Sequence, residues 1–315
     1  MKRLTLLLLP VLLLAGCTQK KYELKLSIAA PAGAPSACLY KYLADESKVE
    51  ILQAKDAGNL TSYMEHNQKD IVILPTNAGV MTIKNKNVDY KLAATITFGN
   101  LFIGATGKDD DGVMNGDDYV VLIQKNNVPD KLFQYLYGDL GLTNTHYLET
   151  PASSPAAVLA SGKNSEDSNA DVDYVLIAEP AFTAAKAQNP NVTQYASIQD
   201  QYKVKTGNKE IMQASVFVSN SADTKEVDKF LSQLEKDINS FLVKPDVLDE
   251  YVKDFDDVTF AAKFAVPNAK MLKSVTTNGN RMGLGFKLAK NNKEALDQFL
   301  TLWPAIGETS EEIYY

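Results

Sequence analysis

The chain has 315 residues with 32 Lys and Arg against 39 Asp and Glu, a net charge of −7. No basic surplus is available to meet a phosphate backbone, so nucleic acid is excluded as a partner, and the acidity suits a soluble body. The length is roughly twice that of a common domain, which predicts two lobes, and the two cysteines and two histidines are too few for a disulfide framework or a zinc centre.

The first residues read as a targeting segment. Met1-Lys2-Arg3 supplies positive charge, Leu4 to Leu14 is an apolar stretch too short for a membrane span, and Leu14-Ala15-Gly16-Cys17 resembles the bacterial lipoprotein box. That resemblance implies acylation of Cys17 and cleavage before it. Residues 1–16 are then the signal peptide and 17–23 a polar tether. Cys38 is left as the one cysteine of the body, placed on the apolar face of a first helix with Leu39, Tyr42 and Leu43.

Leu24 to Ile28 alternates apolar and polar residues and predicts a strand, ending in the small-residue loop that holds Ala32 and Gly33. Pro35 and Ser36 suit the start of the next helix. Val49 to Leu52 predicts a second strand. Ile71-Val-Ile-Leu-Pro75 predicts a buried parallel strand whose end delivers Thr76 and Asn77 to a helix start, where ligands sit in open α/β sheets. Tyr90 to Thr97 predicts another strand, closing in Phe98-Gly99-Asn100 before the apolar run Leu101 to Ala105. Phe98 and Asn100 either contact a ligand at the strand end or form a hairpin turn. The polar stretch 107–118 predicts the first crossing between lobes.

Tyr119 to Ile123 restarts the pattern. Asn126 and Asn127 precede a helix with Pro129 and Asp130 in its first turn, and Ser153 and Ser154 precede one that opens at Pro155. Tyr174 to Ile177 is the next strand; Glu179 beyond it either faces the cleft as an acceptor or favours the helix that follows. Gln213 to Val218 predicts the return crossing, and then the texture turns helical: a stripe from Val227 to Phe241, a helix from Val247, one spanning Phe260 to Lys270, and a last one from Glu294 to Leu302 that Trp303 closes. Arg281, the one arginine beyond Arg3, falls in the loop Thr277-Asn-Gly-Asn-Arg281 and is expected at the surface.

No phosphate loop, nucleophile elbow or paired histidine motif occurs, so no catalytic residue, metal or cofactor is expected. The order of strand, small-residue loop and helix is similar to that of type 2 periplasmic solute-binding proteins, the capture subunits of ABC importers, in the nitrate, sulfonate, taurine and thiamine-precursor group. The pieces that carry the likeness are Ile71 to Ala78, Thr97 to Leu101, Val128-Pro-Asp130, Ala178-Glu-Pro180, Ile211 to Val218 and the tail Glu312-Ile-Tyr-Tyr315.

The resemblance implies an α/β fold of two lobes, each a mostly parallel sheet flanked by helices, with 24–108 and 214–315 forming lobe 1 and 109–213 forming lobe 2. It implies a small-molecule ligand in the interlobe cleft, held by Ala32, Gly33, Thr76, Asn77, Phe98 and Asn100 from one side and by Asn126, Asn127, Ser153, Ser154 and Glu179 from the other. ABC permease subunits are the implied partners, and the implied location is extracytoplasmic, lipid-anchored to the bacterial cell membrane. A sensory or adhesive lipoprotein is the alternative. An enzyme of pyrimidine-precursor synthesis on the same scaffold is a further one, but Cys38, His66 and His146 supply little of the histidine- and cysteine-rich iron site that it needs.

Overall fold

The computed structural model of the protein describes residues 22–53, 56–86, 88–108, 111–148, 154–164 and 170–315. From its N-terminal end the first lobe contains β1 (Ile28–Pro31), α1 (Ala34–Cys38), β2 (Val49–Leu52), α2 (Asn59–Glu65), β3 (Ile71–Pro75), α3 (Thr76–Lys86) and β4 (Tyr90–Thr97). The second lobe holds β5 (Leu101–Ala105), β6 (Tyr119–Ile123), α4 (Val128–Tyr137), β7 (Asn144–Leu148), α5 (Pro155–Ser161), β8 (Tyr174–Ala178), α6 (Ala181–Gln188), β9 (Thr193–Ser197) and α7 (Ile198–Lys205). The chain then returns to the first lobe through β10 (Ala214–Ser219), α8 (Thr224–Val243), α9 (Val247–Val252), α10 (Asp257–Phe264), α11 (Ala269–Thr277), β11 (Leu284–Leu288) and α12 (Lys293–Leu300).

The first sheet is six-stranded in the order β11-β4-β10-β3-β1-β2, and the second is five-stranded in the order β7-β6-β8-β5-β9. β1, β2, β3 and β4 run one way with β10 and β11 against them; in the second sheet only β5 opposes its neighbours. Ile71, Val72, Ile73 and Leu74 are fully buried because helices cover both faces of β3, which is why that strand reads as a continuous apolar run. The α8 stripe packs on one face through Val227, Phe230, Leu234, Ile238 and Phe241, and the Asp223 carboxylate accepts from the backbone N–H groups of Lys225 and Glu226 to start that helix. A second buried cluster runs from Val72 and Phe217 through Phe98, Leu101, Ile211 and Met212 at the crossings to Leu122, Leu176 and Tyr202, so the lobes share apolar packing beside their connections. No helix among the described residues is long and apolar enough to cross a membrane.

Four sequence expectations are corrected. The first crossing lies at residues 98–100, not 107–118, because Leu101–Ala105 pairs with β8 and β9 in the second sheet; the polar stretch joins β5 to β6 inside lobe 2. For the same reason Phe98-Gly99-Asn100 is not a hairpin turn. The first strand begins at Ile28, since the Ser27 N–H is capped by the Asp70 carboxylate at 2.7 Å. The helix expected from Phe260 to Lys270 is two helices, broken where Ala265 turns left-handed at φ 52° ahead of Pro267. β11, with glycine just before it at 283 and within it at 285, was not foreseen.

Candidate functional site

The ends of β3, β4, β8 and β9 and the loop from α11 to β11 meet between the lobes, and a chain of polar contacts links them. The Thr76 N–H donates to the Gln213 carbonyl at 3.1 Å. The Gln213 amide Nε2 donates to Asn100 Oδ1 at 3.1 Å, and Asn100 Nδ2 donates to the Glu179 carbonyl at 3.1 Å. A backbone carbonyl can only accept, so this last bond fixes which way Asn100 and then Gln213 must face. Glu179 returns its own N–H to the Asn100 carbonyl at 2.8 Å. Asn77 Oδ1 and Gln213 Oε1 are buried acceptors with no protein partner.

The sharpest departure from the sequence reading is Arg281. Its side chain is only 22% exposed and reaches from the first lobe into a socket of the second. Nε lies 2.5 Å from Glu179 Oε1, and Nη1 lies 2.6 Å from Gln194 Oε1. The guanidinium carbon stands 4.0 Å from the centre of the Phe102 ring and 4.9 Å from that of Phe182, so the cation rests against two aromatic faces. Glu179 has no exposed side-chain surface; besides Arg281 it accepts from the Thr183 N–H at 3.1 Å and from its hydroxyl at 3.0 Å. Burial of that carboxylate is made tolerable by these three donors.

A cavity of about 470 Å³ opens beside this pair, lined from the first lobe by Asn278, Asn280, Arg281, Gly283 and Lys287 and from the second by Phe102, Gln194, Ser197 and Gln199, with Phe98, Gly99 and Glu210 at the crossings. Its size suits a small organic molecule. Glu210 joins the lobes a second time, paired with Lys203 of α7 at 3.6 Å and with Lys287 of β11. Gly283 permits this arrangement: at φ +63° it lies so close to the first crossing that a Cβ there would stand 2.6 Å from the Gly99 carbonyl oxygen.

Of the residues singled out in the sequence, the structure links Thr76, Asn100 and Glu179 through Gln213. Among those that the structure describes, only Phe98 lines the cavity; it is 8% exposed, and its ring lies where a Cβ on Gly285 would approach to 2.8 Å. Thr76 is fully buried, its hydroxyl 2.7 Å from that of Ser215. The Ala32 N–H donates to the Leu52 carbonyl at 2.9 Å, and the Gly33 N–H to the Ser36 hydroxyl at 3.1 Å. The Asn126 N–H binds the Asp130 carboxylate at 2.7 Å, Asn127 caps α4 by accepting from the Asp130 N–H, and Ser154 caps α5 by accepting from the Ala157 N–H. The Asn127 and Ser154 side-chain oxygens therefore serve helix starts in this conformation. Ser153 and Cys17 lie outside the described residues.

Sequence reasoning missed Arg281, Gln194, Gln213, Phe102 and Phe182. The signals were the rarity of arginine and the glycines at 279, 283 and 285, which mark close backbone approach. The body's cysteine offers no nucleophile: Cys38 is 1% exposed, and burial pushes its thiol well above the ordinary range.

No protein-family model and no curated protein matches the chain. Solved structures do. An ABC transporter from Parabacteroides distasonis is 16% identical over 92% of this chain and 98% of its own, with a TM-score of 0.69. The zinc-bound ligand-binding component of an ABC-type import system from Staphylococcus aureus is 13% identical over 91% and 94%, with a TM-score of 0.61. The alkanesulfonate-binding protein of Xanthomonas axonopodis, bound to MOPS, is 13% identical over 89% and 92%, with a TM-score of 0.59. The chain thus has the periplasmic-binding-protein fold, and its structural neighbours include solute-binding components of ABC importers.

Proposed function

We propose that this chain is the lipid-anchored, extracytoplasmic solute receptor of an ABC importer, which captures a small molecule between its lobes and delivers it to permease subunits. The observation that carries the reading is the cavity of about 470 Å³ walled by both lobes beside two crossings, on a fold shared with importer components over about nine-tenths of the chain. A ligand that touches both walls binds the closed form better than the open one, and closure follows to the extent of that difference. The permease then has a liganded shape to distinguish from the empty one. Cys17 anchors the receptor, and residues 17–23 tether the body to the membrane. Of the residues marked in the sequence, Phe98 offers the cleft its ring. The reading is non-catalytic, consistent with an inert Cys38.

The test has two arms. Native mass spectrometry of protein purified from its host, and thermal melts against a solute panel and growth-medium extract, should reveal a small ligand that raises the melt. Cys17→Ala should shift the protein from the membrane to the soluble fraction. A melt unmoved by every solute and by the extract would sink the receptor reading; a Cys17→Ala protein still on the membrane would sink the anchor alone.

A further inference from the structure

The ionic groups around the cavity match one another. Arg281 is held by Glu179, Lys203 and Lys287 by Glu210, and Asp200 lines the same wall. Apart from Leu284 and four glycines, the rest of the lining is amide, hydroxyl and aromatic: Gln194 and Asn280 stand with the Phe98 and Phe102 rings. An arginine facing an anionic solute would need its charge free, but here Glu179 Oε1 sits 2.5 Å from Nε with no exposed surface of its own. An anion brought to the guanidinium would also meet that buried carboxylate, where poor solvent screening makes like charges repel strongly. One guanidinium nitrogen, Nη2, is buried without a protein partner, so it presents no exposed N–H to an incoming anion.

We infer that Glu179 sets the charge of the ligand: by occupying Arg281 it reserves the cleft for uncharged solutes with acceptor oxygens and a planar ring, and turns anions away. This rests on the receptor reading and separates the chain from the structural neighbour that binds MOPS, a sulfonate.

The wild-type protein is titrated, by calorimetry and by melt, with matched aromatic pairs: each carboxylate or sulfonate beside its own primary amide or sulfonamide. The uncharged members should bind at least about tenfold more tightly than their anions. Glu179→Gln keeps the shape and frees the cation, so it should narrow or invert that ratio, while Arg281→Gln should weaken amide binding without admitting anions. Anions that bind the wild type as well as their amides do, or a ratio unmoved in a folded Glu179→Gln protein, would overturn the inference and leave the receptor reading standing. Should Glu179→Gln fail to fold, the wild-type ratio and Arg281→Gln decide. Absence of binding by both classes and by medium extract removes the receptor reading, and the inference with it.

Discussion

Arg281 Nε and Glu179 Oε1 meet at 2.5 Å although the residues are 102 positions apart and belong to different lobes. Any separation of the lobes would break this contact, so the pair favours the arrangement seen here with no ligand present. Opening gives Glu179 back its water, which limits how much the pair can contribute. On the receptor reading proposed above, a ligand adds its own differential affinity to an equilibrium that this pair already tilts.

Arg281→Ala leaves Glu179 without its cation. Were the carboxylate to stay buried, the cost would be about 3–5 kcal/mol. Separation of the lobes relieves it more cheaply. The expected outcome is a larger radius of gyration in small-angle scattering with a modest fall in the urea midpoint. An unchanged radius with a full loss of stability would show instead that shared apolar packing at the crossings, not this pair, holds the lobes together.

Thr76 and Asn77 should behave differently. Thr76 is fully buried with its hydroxyl 2.7 Å from Ser215, so Thr76→Ala should lower stability by about 1–2 kcal/mol whether or not ligand is present. Asn77 Oδ1 is buried with no protein partner, so Asn77→Ala should leave the melt of the ligand-free protein nearly unchanged. Equal loss of stability in both variants would make Asn77 structural as well.

Much of the scaffold was legible because its signals are local. Ile71 to Pro75 announces a doubly covered strand, and Asn127 and Ser154 announce helix starts. The site was less legible because its partners are distant in sequence. Nothing near Arg281 points to Glu179, and nothing around Leu101 to Ala105 says that this run pairs with β8 rather than with the strand just before it. β11 hid because its glycines, needed for approach to Phe98 and Gly99, erase the alternation that marks a strand.

Alkaline pH should destabilise the protein through buried phenols. Burial pushes Tyr90 and Tyr137 from 10.0 up to about 12. A folded-state value above the unfolded one gives stability that is complete below pH 10 and is lost as pH rises through about 12, because the unfolded chain releases these protons first. Urea midpoints should stay level up to about pH 9 and fall beyond about pH 10. Tyr137→Phe should lessen that slope; an unaltered slope would assign the loss to other groups.

Gly283 and Gly279 offer a matched test of how tightly the α11–β11 loop is pressed against the first crossing. Both have left-handed backbones, at φ +63° and +71°. A Cβ on Gly279 meets nothing within 4 Å, whereas on Gly283 it would stand 2.6 Å from the Gly99 carbonyl oxygen. Gly279→Ala should therefore cost only the conformational term of about 1 kcal/mol. Gly283→Ala adds a clash with backbone that cannot rotate away, and the Gly283 carbonyl also accepts the Phe98 N–H at 2.8 Å. Its stability loss should exceed that of Gly279→Ala by about 1–2 kcal/mol, and it should weaken solute binding because Arg281 lies two residues away. Equal losses in the two variants, read from urea melts, would mean that the crossing yields readily and that the closeness of Gly99 and Gly283 does not position the arginine.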